Sequence, residues 1–142
     1  MAPMSTQFRD ERVCFVCGEK NPAGLKLRIR LDAERGESAA DVAFPEHFQG
    51  WANIVHGGLV ATVLDEALIY AAWSKGLKCV TSEMTVRYLR PAPAGVTYRL
   101  KGRFLEDKGR VVLAESVLVD DAGRAVARAK GKLLKVAGTR SS

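Results

Sequence analysis

Gly57-Gly58-Leu59-Val60-Ala61-Thr62-Val63-Leu64-Asp65-Glu66-Ala67-Leu68-Ile69-Tyr70-Ala71-Ala72-Trp73 carries two charges, Asp65 and Glu66, and no proline. Apolar volume recurs on nearly every side of the helical cylinder. That pattern predicts a buried helix about 25 Å long, not a surface helix with a single apolar stripe. Gly76 follows as a stop. A membrane span would need about 20 apolar residues without such charges, so the run reads as the centre of a soluble fold.

The flanks read as strands. Before the helix, Leu25, Leu27, Ile29 and Leu31 alternate with Lys26, Arg28 and Arg30, the period of a half-buried strand over 25–31. Gly36 makes a turn into a second strand over 38–44, which Pro45 ends, and a loop runs through Gly50 to His56. After the helix come strands over 80–89, 96–105, 111–119 and 124–136. Between them lie Pro91-Ala92-Pro93-Ala94-Gly95, Glu106-Asp107-Lys108-Gly109 and Asp120-Asp121-Ala122-Gly123, which read as hairpin turns. In the last strand Ala125, Ala127, Ala129 and Gly131 share a face small enough to admit a helix backbone, and Arg124, Arg128, Lys130 and Lys132 share the other. One long helix and about six strands imply an α+β fold, an antiparallel sheet wrapped around the helix. Such a sheet covers only part of the helix and leaves an edge open, so pairing with a second copy is expected.

The length of 142 residues suits one domain, with 1–11 and 137–142 expected to fray. No apolar run at the start suggests a signal peptide, and three cysteines without one suggest reduced thiols and a cytoplasmic protein. The net charge of +6 attracts polyanions of any kind. Nothing resembles a Walker loop, a Rossmann glycine pattern or a helix-turn-helix, and aromatics are only 7%, so neither nucleic acid nor a membrane is expected as a partner. Cys14-x-x-Cys17 lacks a second cysteine pair, whereas a structural zinc site takes about four ligands, so no metal is expected. Cys79 opens a strand as a small apolar residue.

Chemistry concentrates where the loop Trp51-Ala52-Asn53-Ile54-Val55-His56 feeds the helix. Gly57 and Gly58 would expose N–H groups that lack intrahelical partners, with no Cβ to keep a ligand away. Asp65 and Glu66 sit mid-helix, where an ionised carboxylate is costly unless paired. The step from Gly57 to Asp65 is about 12 Å of axial rise, too far for both to act on one small group from the same helix. A site using both must borrow one from another subunit.

The segment His56-Gly57-Gly58 with Leu64-Asp65-Glu66-Ala67 resembles the PaaI-like and THEM-like acyl-CoA thioesterases of the hotdog-fold superfamily. The lead-in Cys14-Phe15-Val16-Cys17-Gly18 and Asn21-Pro22-Ala23-Gly24-Leu25, and the strand 81–90 entering Pro91, share the resemblance. It implies a hotdog fold and hydrolysis of an acyl- or aroyl-CoA to free acid and CoA. It also implies a homodimer or homotetramer with active sites between subunits, and no cofactor beyond the CoA of the substrate. On that resemblance the Gly57 N–H polarises the thioester carbonyl, and Asp65 from the partner acts as general base or nucleophile. Thr81 positions water, and Asn53 and His56 complete the catalytic set. Gly58, Glu66, Arg87, Arg90, Arg128 and Lys130 form the substrate-binding set, the cations facing the phosphates of CoA.

Plainer roles stand beside these. His56 reads more readily as the residue that fixes the glycine turn than as a proton carrier, and Glu66 as a solvated or salt-bridged carboxylate. Turn chemistry accounts equally for Asn53, β-propensity for Thr81, and solvation for most of the cations. Rival functions are a non-catalytic acyl-CoA sensor, a hydratase pairing histidine with aspartate, and a cysteine-based metal or nucleic-acid module. The only histidine besides His56 is His47.

Overall fold

The computed structural model describes residues 8–136, so 1–7 and 137–142, which hold most of the ends expected to fray, lie outside the described residues. The elements in chain order are β1 (Arg30–Asp32), β2 (Glu37–Ala43), α1 (Gly57–Ser74), β3 (Cys79–Tyr88), β4 (Thr97–Asp107), β5 (Val111–Val119) and β6 (Ala125–Lys135). All six strands join one antiparallel sheet in the order β1-β2-β4-β5-β6-β3. The helix lies against it, burying Val60, Val63, Leu64, Ala67, Leu68, Ala71 and Ala72. Gly76, at φ 76°, ends α1 in the left-handed conformation that favours glycine, and its N–H bonds to the Trp73 carbonyl.

A row of small residues sets how closely helix and sheet approach. Ser38, Gly102, Ser116 and Ala129 stand opposite one another across β2, β4, β5 and β6. A Cβ on Gly102 would come within 2.1 Å of the Ala67 carbonyl oxygen, so only glycine fits there. The hydroxyl of Ser38 donates to the same Ala67 carbonyl at 2.8 Å, and that of Ser116 to the Leu64 carbonyl at 2.9 Å. Both serines are buried, so these bonds satisfy hydroxyls that would otherwise be costly inside the core. The small face expected on β6 is part of this contact, with Ala127 and Ala129 buried and a Cβ at Gly131 meeting the Leu68 side chain at 2.5 Å.

Two expectations are corrected. The segment 25–31 pairs as a strand only from Arg30. Lys26 has φ 53°, and the N–H groups of Leu25 and Leu27 bond to the carbonyls of Phe15 and Val16. The alternation therefore buries Leu27 beneath the lead-in without extending the ladder. The second correction concerns Pro91 to Gly95, which does not close a hairpin: β3 pairs with β6, and the chain crosses the sheet to reach β4. After the helix the β4–β5 and β5–β6 turns are hairpins, with Gly109 and Gly123 at φ 94° and 83°, and before it β1 and β2 form a third, with Gly36 at φ 66°. As a result β3, ten residues long, forms one edge of the sheet, and three-residue β1 forms the other.

Candidate active site

Asp65 and Thr81 meet because β3 is irregular. From Glu83 onward the register with β6 is unbroken, Met84, Val86 and Tyr88 lying opposite Gly131, Ala129 and Ala127 of the helix-facing side. Simple alternation would then turn Thr81 outward with Glu83, Thr85 and Arg87. A bulge between Thr81 and Glu83 adds Ser82 to the strand and reverses the parity below it. Thr81 thus faces α1, and its Oγ1 donates to Asp65 Oδ1 at 2.5 Å. Both residues are half-buried.

At the helix N-terminus His56 is the cap. Its Nδ1 accepts the Gly58 N–H at 2.9 Å, and its carbonyl accepts those of Leu59 and Val60. Among the described residues, Gly57 is then the first-turn residue whose N–H has no acceptor. An Nδ1 engaged as an acceptor does not also carry a proton, so this nitrogen serves as the cap of α1. The Tyr88 hydroxyl donates to the Gly57 carbonyl at 2.7 Å and holds the turn from the other side. His56, Gly57 and Tyr88 line a cleft of about 820 Å³ with Trp51, Leu89 and Arg90, whereas Gly58 does not, and Trp51 is 85% exposed. The nearest atoms a Cβ at Gly57 would meet belong to Tyr88, at 3.5 Å. Packing at that distance is ordinary contact and does not by itself demand glycine, which leaves the N–H open to approach.

The remaining expected residues divide. Arg90 lines the cleft, its Nε donating to the Ala125 carbonyl at 3.2 Å. Arg87, Arg128 and Lys130 are exposed on the opposite side of the sheet, Arg87 directly across from Arg128. Asn53 has φ 65°, with its N–H on the Gln49 side chain and its carbonyl on the Ala94 N–H, the backbone of a turn. Asp65 and Thr81 do not line the cleft that holds Gly57. Glu66 makes no salt bridge among the described residues. It is half-buried, with Cys14 Sγ 3.7 Å from its Oε1. Burial above all, and then the charges of Asp65 and Asp10, push its carboxyl up from the ordinary range, while bonds from the two thiols act downward.

Tyr88 went unmarked in the sequence because its partner is 31 positions away. The bulge is equally silent, since Ser82 looks like any polar residue of an edge strand.

The family model of the Thioesterase superfamily matches residues 52–131, more than half of the chain, including α1 and most of the sheet. The chain belongs to the thioesterase superfamily, and its architecture is the hotdog fold. It is 31% identical over 84 residues to the acyl-coenzyme A thioesterase PaaI of Escherichia coli, covering 59% of this chain and 60% of PaaI. The chain therefore matches less than two thirds of that relative's length. The structure of the E. coli PaaI protein superposes with a TM-score of 0.74 at 26% identity, covering 81% of this chain and 83% of that one. A further thioesterase superfamily protein reaches 0.81 at 24% identity, over 87% of this chain and 63% of its own. The protein smu.793 of Streptococcus mutans, solved bound to acetyl CoA, shares the fold at a TM-score of 0.72 and 18% identity, over 78% of this chain and 88% of its own. No helix among the described residues is long and apolar enough to cross a membrane.

Proposed function

We propose that the protein hydrolyses an acyl- or aroyl-CoA thioester in a homo-oligomer, with Gly57 of one subunit facing Asp65 and Thr81 of its partner. The observation that carries this reading is the Thr81–Asp65 hydrogen bond, formed by a bulge that turns Thr81 toward the helix. An N–H without a partner at a helix N-terminus suits a developing oxyanion, because the helix places about half a positive charge there. The thioester carbonyl oxygen accepts this N–H and its carbon becomes more electrophilic. Asp65, oriented by Thr81, takes a proton from water as the water oxygen adds to that carbon, or adds to it directly and is then released by water. Collapse of the tetrahedral adduct breaks the C–S bond and, after proton transfer, gives the thiol of CoA; the acyl group leaves as the free acid where water added, or as an Asp65 anhydride that water then cleaves to the acid.

The arrangement between subunits is supported by the separation of the two halves in one chain. Asp65 and Thr81 lie outside the cleft at Gly57, and β3 offers a ten-residue open edge beside it. Exposed Trp51, Tyr88 and Leu89 around the cleft supply apolar surface for a partner or an acyl chain. Arg90 at the cleft suits the phosphates of CoA. Arg87, Arg128 and Lys130 would meet the same ligand only around the β3 edge. Likeness to PaaI, and to a fold relative solved with acetyl CoA, supports the substrate class.

The test is thiol release from short, medium, long and aromatic acyl-CoAs by wild type and Asp65→Asn, with sedimentation of both. Turnover lost in a folded variant is the expected result. CoA-ester binding without turnover on any member would instead make the protein a sensor. Full activity in Asp65→Asn would remove Asp65 from the mechanism.

A further inference from the structure

Cys14, Cys17 and Glu66 come from distant parts of the chain, yet one ligand atom from each lies within 4.8 Å of the other two. Ligands held at about 2.0–2.3 Å from a tetrahedral ion are about 3.3–3.8 Å apart, and the 3.7 Å between Cys14 Sγ and Glu66 Oε1 already falls in that range. We infer that Cys14, Cys17 and Glu66 bind one thiophilic divalent cation, zinc by preference, with a fourth position open to water.

The lead-in is folded for this purpose. Cys14 to Gly18 forms a tight turn in which the Gly18 N–H bonds to the Cys14 carbonyl at 2.9 Å. A Cβ on Gly18 would stand 2.3 Å from the Cys14 nitrogen and 2.6 Å from its oxygen, so this turn requires glycine. It brings both sulfurs to one side, over α1. Each sulfur also accepts a hydrogen bond from a group that is not a ligand: the Val16 N–H to Cys14 Sγ at 3.3 Å, and the Tyr70 hydroxyl to Cys17 Sγ at 3.0 Å. Donors aimed at sulfur stabilise thiolate and orient it toward a metal, as outer partners of metal ligands do.

Tyr70 lies one helical turn beyond Glu66, so one stripe of α1 supplies both a ligand and an outer donor. A cavity of about 400 Å³ lined by Asp10, Tyr70 and the three ligands gives an ion and its water access from solvent. Two soft thiolates with one carboxylate favour zinc over magnesium or calcium, which prefer all-oxygen sites. The expectation of no metal counted cysteines along the chain; the third ligand is on the helix, 52 positions from Cys14.

The bound ion would tie the lead-in to α1 at the residue after Asp65 while taking no part in the acyl chemistry. The test uses the full chain purified under reducing conditions, loaded with zinc, passed over a weak chelating resin and analysed for zinc per protomer. About one zinc per protomer is expected, falling below about a tenth in Cys17→Ser, with affinity at least about tenfold lower in Glu66→Gln. Wild type should also take up cobalt(II), with thiolate-to-metal absorption and visible bands of a tetrahedral site, which needs no variant to fold. Wild type without zinc or the cobalt spectrum overturns the proposal, as does undiminished zinc in Cys17→Ser. A Cys14–Cys17 disulfide that persists in reductant overturns it as well.

Discussion

Asp65 and Glu66 are consecutive carboxylates on one helix, and their surroundings differ in kind. Asp65 faces β3 and accepts a hydroxyl from Thr81; Glu66, about 100° around the cylinder, faces the lead-in and lies against two thiols. A helix that is apolar on nearly all sides can be contacted by different structures on each, so neighbouring residues of like chemistry receive unlike tasks. The sheet side supplies a rigid strand with a bulge. The other side supplies a glycine-dependent turn.

Exchanging each carboxylate for its amide should separate the two sides most sharply. Asp65→Asn keeps shape and removes the base, so kcat on the best acyl-CoA should fall by about 10²–10⁴-fold, with folding retained by circular dichroism. Glu66→Gln should cost no more than about tenfold in kcat, its main loss appearing in zinc content. Equal losses of kcat in the two variants would mean that the carboxylates share one task.

Next in size is the hydroxyl that holds Asp65. Thr81→Val removes a hydrogen bond to a charged group, worth about 1.5–3 kcal/mol, and should lower kcat by roughly 10–150-fold with little change in KM. Thr81→Ser should recover most of it. A Thr81→Val enzyme as active as wild type would reduce the bulge at Ser82 to a detail of strand twist.

Much of this architecture was written locally. The absence of proline and the scarcity of charge from Gly57 to Trp73 gave a helix that observation extends by one residue, to Ser74. Glycine turns likewise placed β5 correctly at Val111–Val119. What local signals missed depends on pairing. Pro91 to Gly95 is a chain reversal whether the next strand lies beside β3 or across the sheet, and only the fit of β3 against the small residues of β6 chooses between them. The catalytic set was named through family resemblance, whereas the reason Thr81 can reach Asp65 is a one-residue register shift that no residue type announces. The contact of Glu66 with the two thiols was hidden because Glu66 resembles its neighbour in sequence and differs in what packs over it.

A smaller effect is expected at the cap. His56→Ala should cost about 1 kcal/mol of stability in urea denaturation by removing the acceptor of the Gly58 N–H, and His56→Asn should restore most of it. If His56→Asn is stable and close to wild type in kcat, histidine serves as a cap and Asp65 is the group that handles protons. A stable His56→Asn without activity would move proton transfer to the helix N-terminus and weaken the assignment of the sheet side.

The smallest expected effect tests whether burial alone explains the behaviour of Glu66. Asp120, in the β5–β6 turn, is less exposed than Glu66, but it accepts the N–H groups of Arg124 and Ala122 and faces the Arg124 guanidinium. Its carboxyl is lowered, first by the Arg124 N–H and then by that of Ala122 and the arginine charge, the reverse of the direction at Glu66. A lowered folded-state value contributes stability that is present above the unfolded carboxylate range, about pH 4, and is lost as pH falls through the folded value. Asp120→Asn should therefore be less stable than wild type at pH 6, and the two should converge as the solution is acidified below pH 4. Unfolding midpoints across that range would measure it. A difference that persisted undiminished into strong acid would mean that the turn depends on the shape of Asp120 and not its charge, and the contrast with Glu66 would then rest on packing alone.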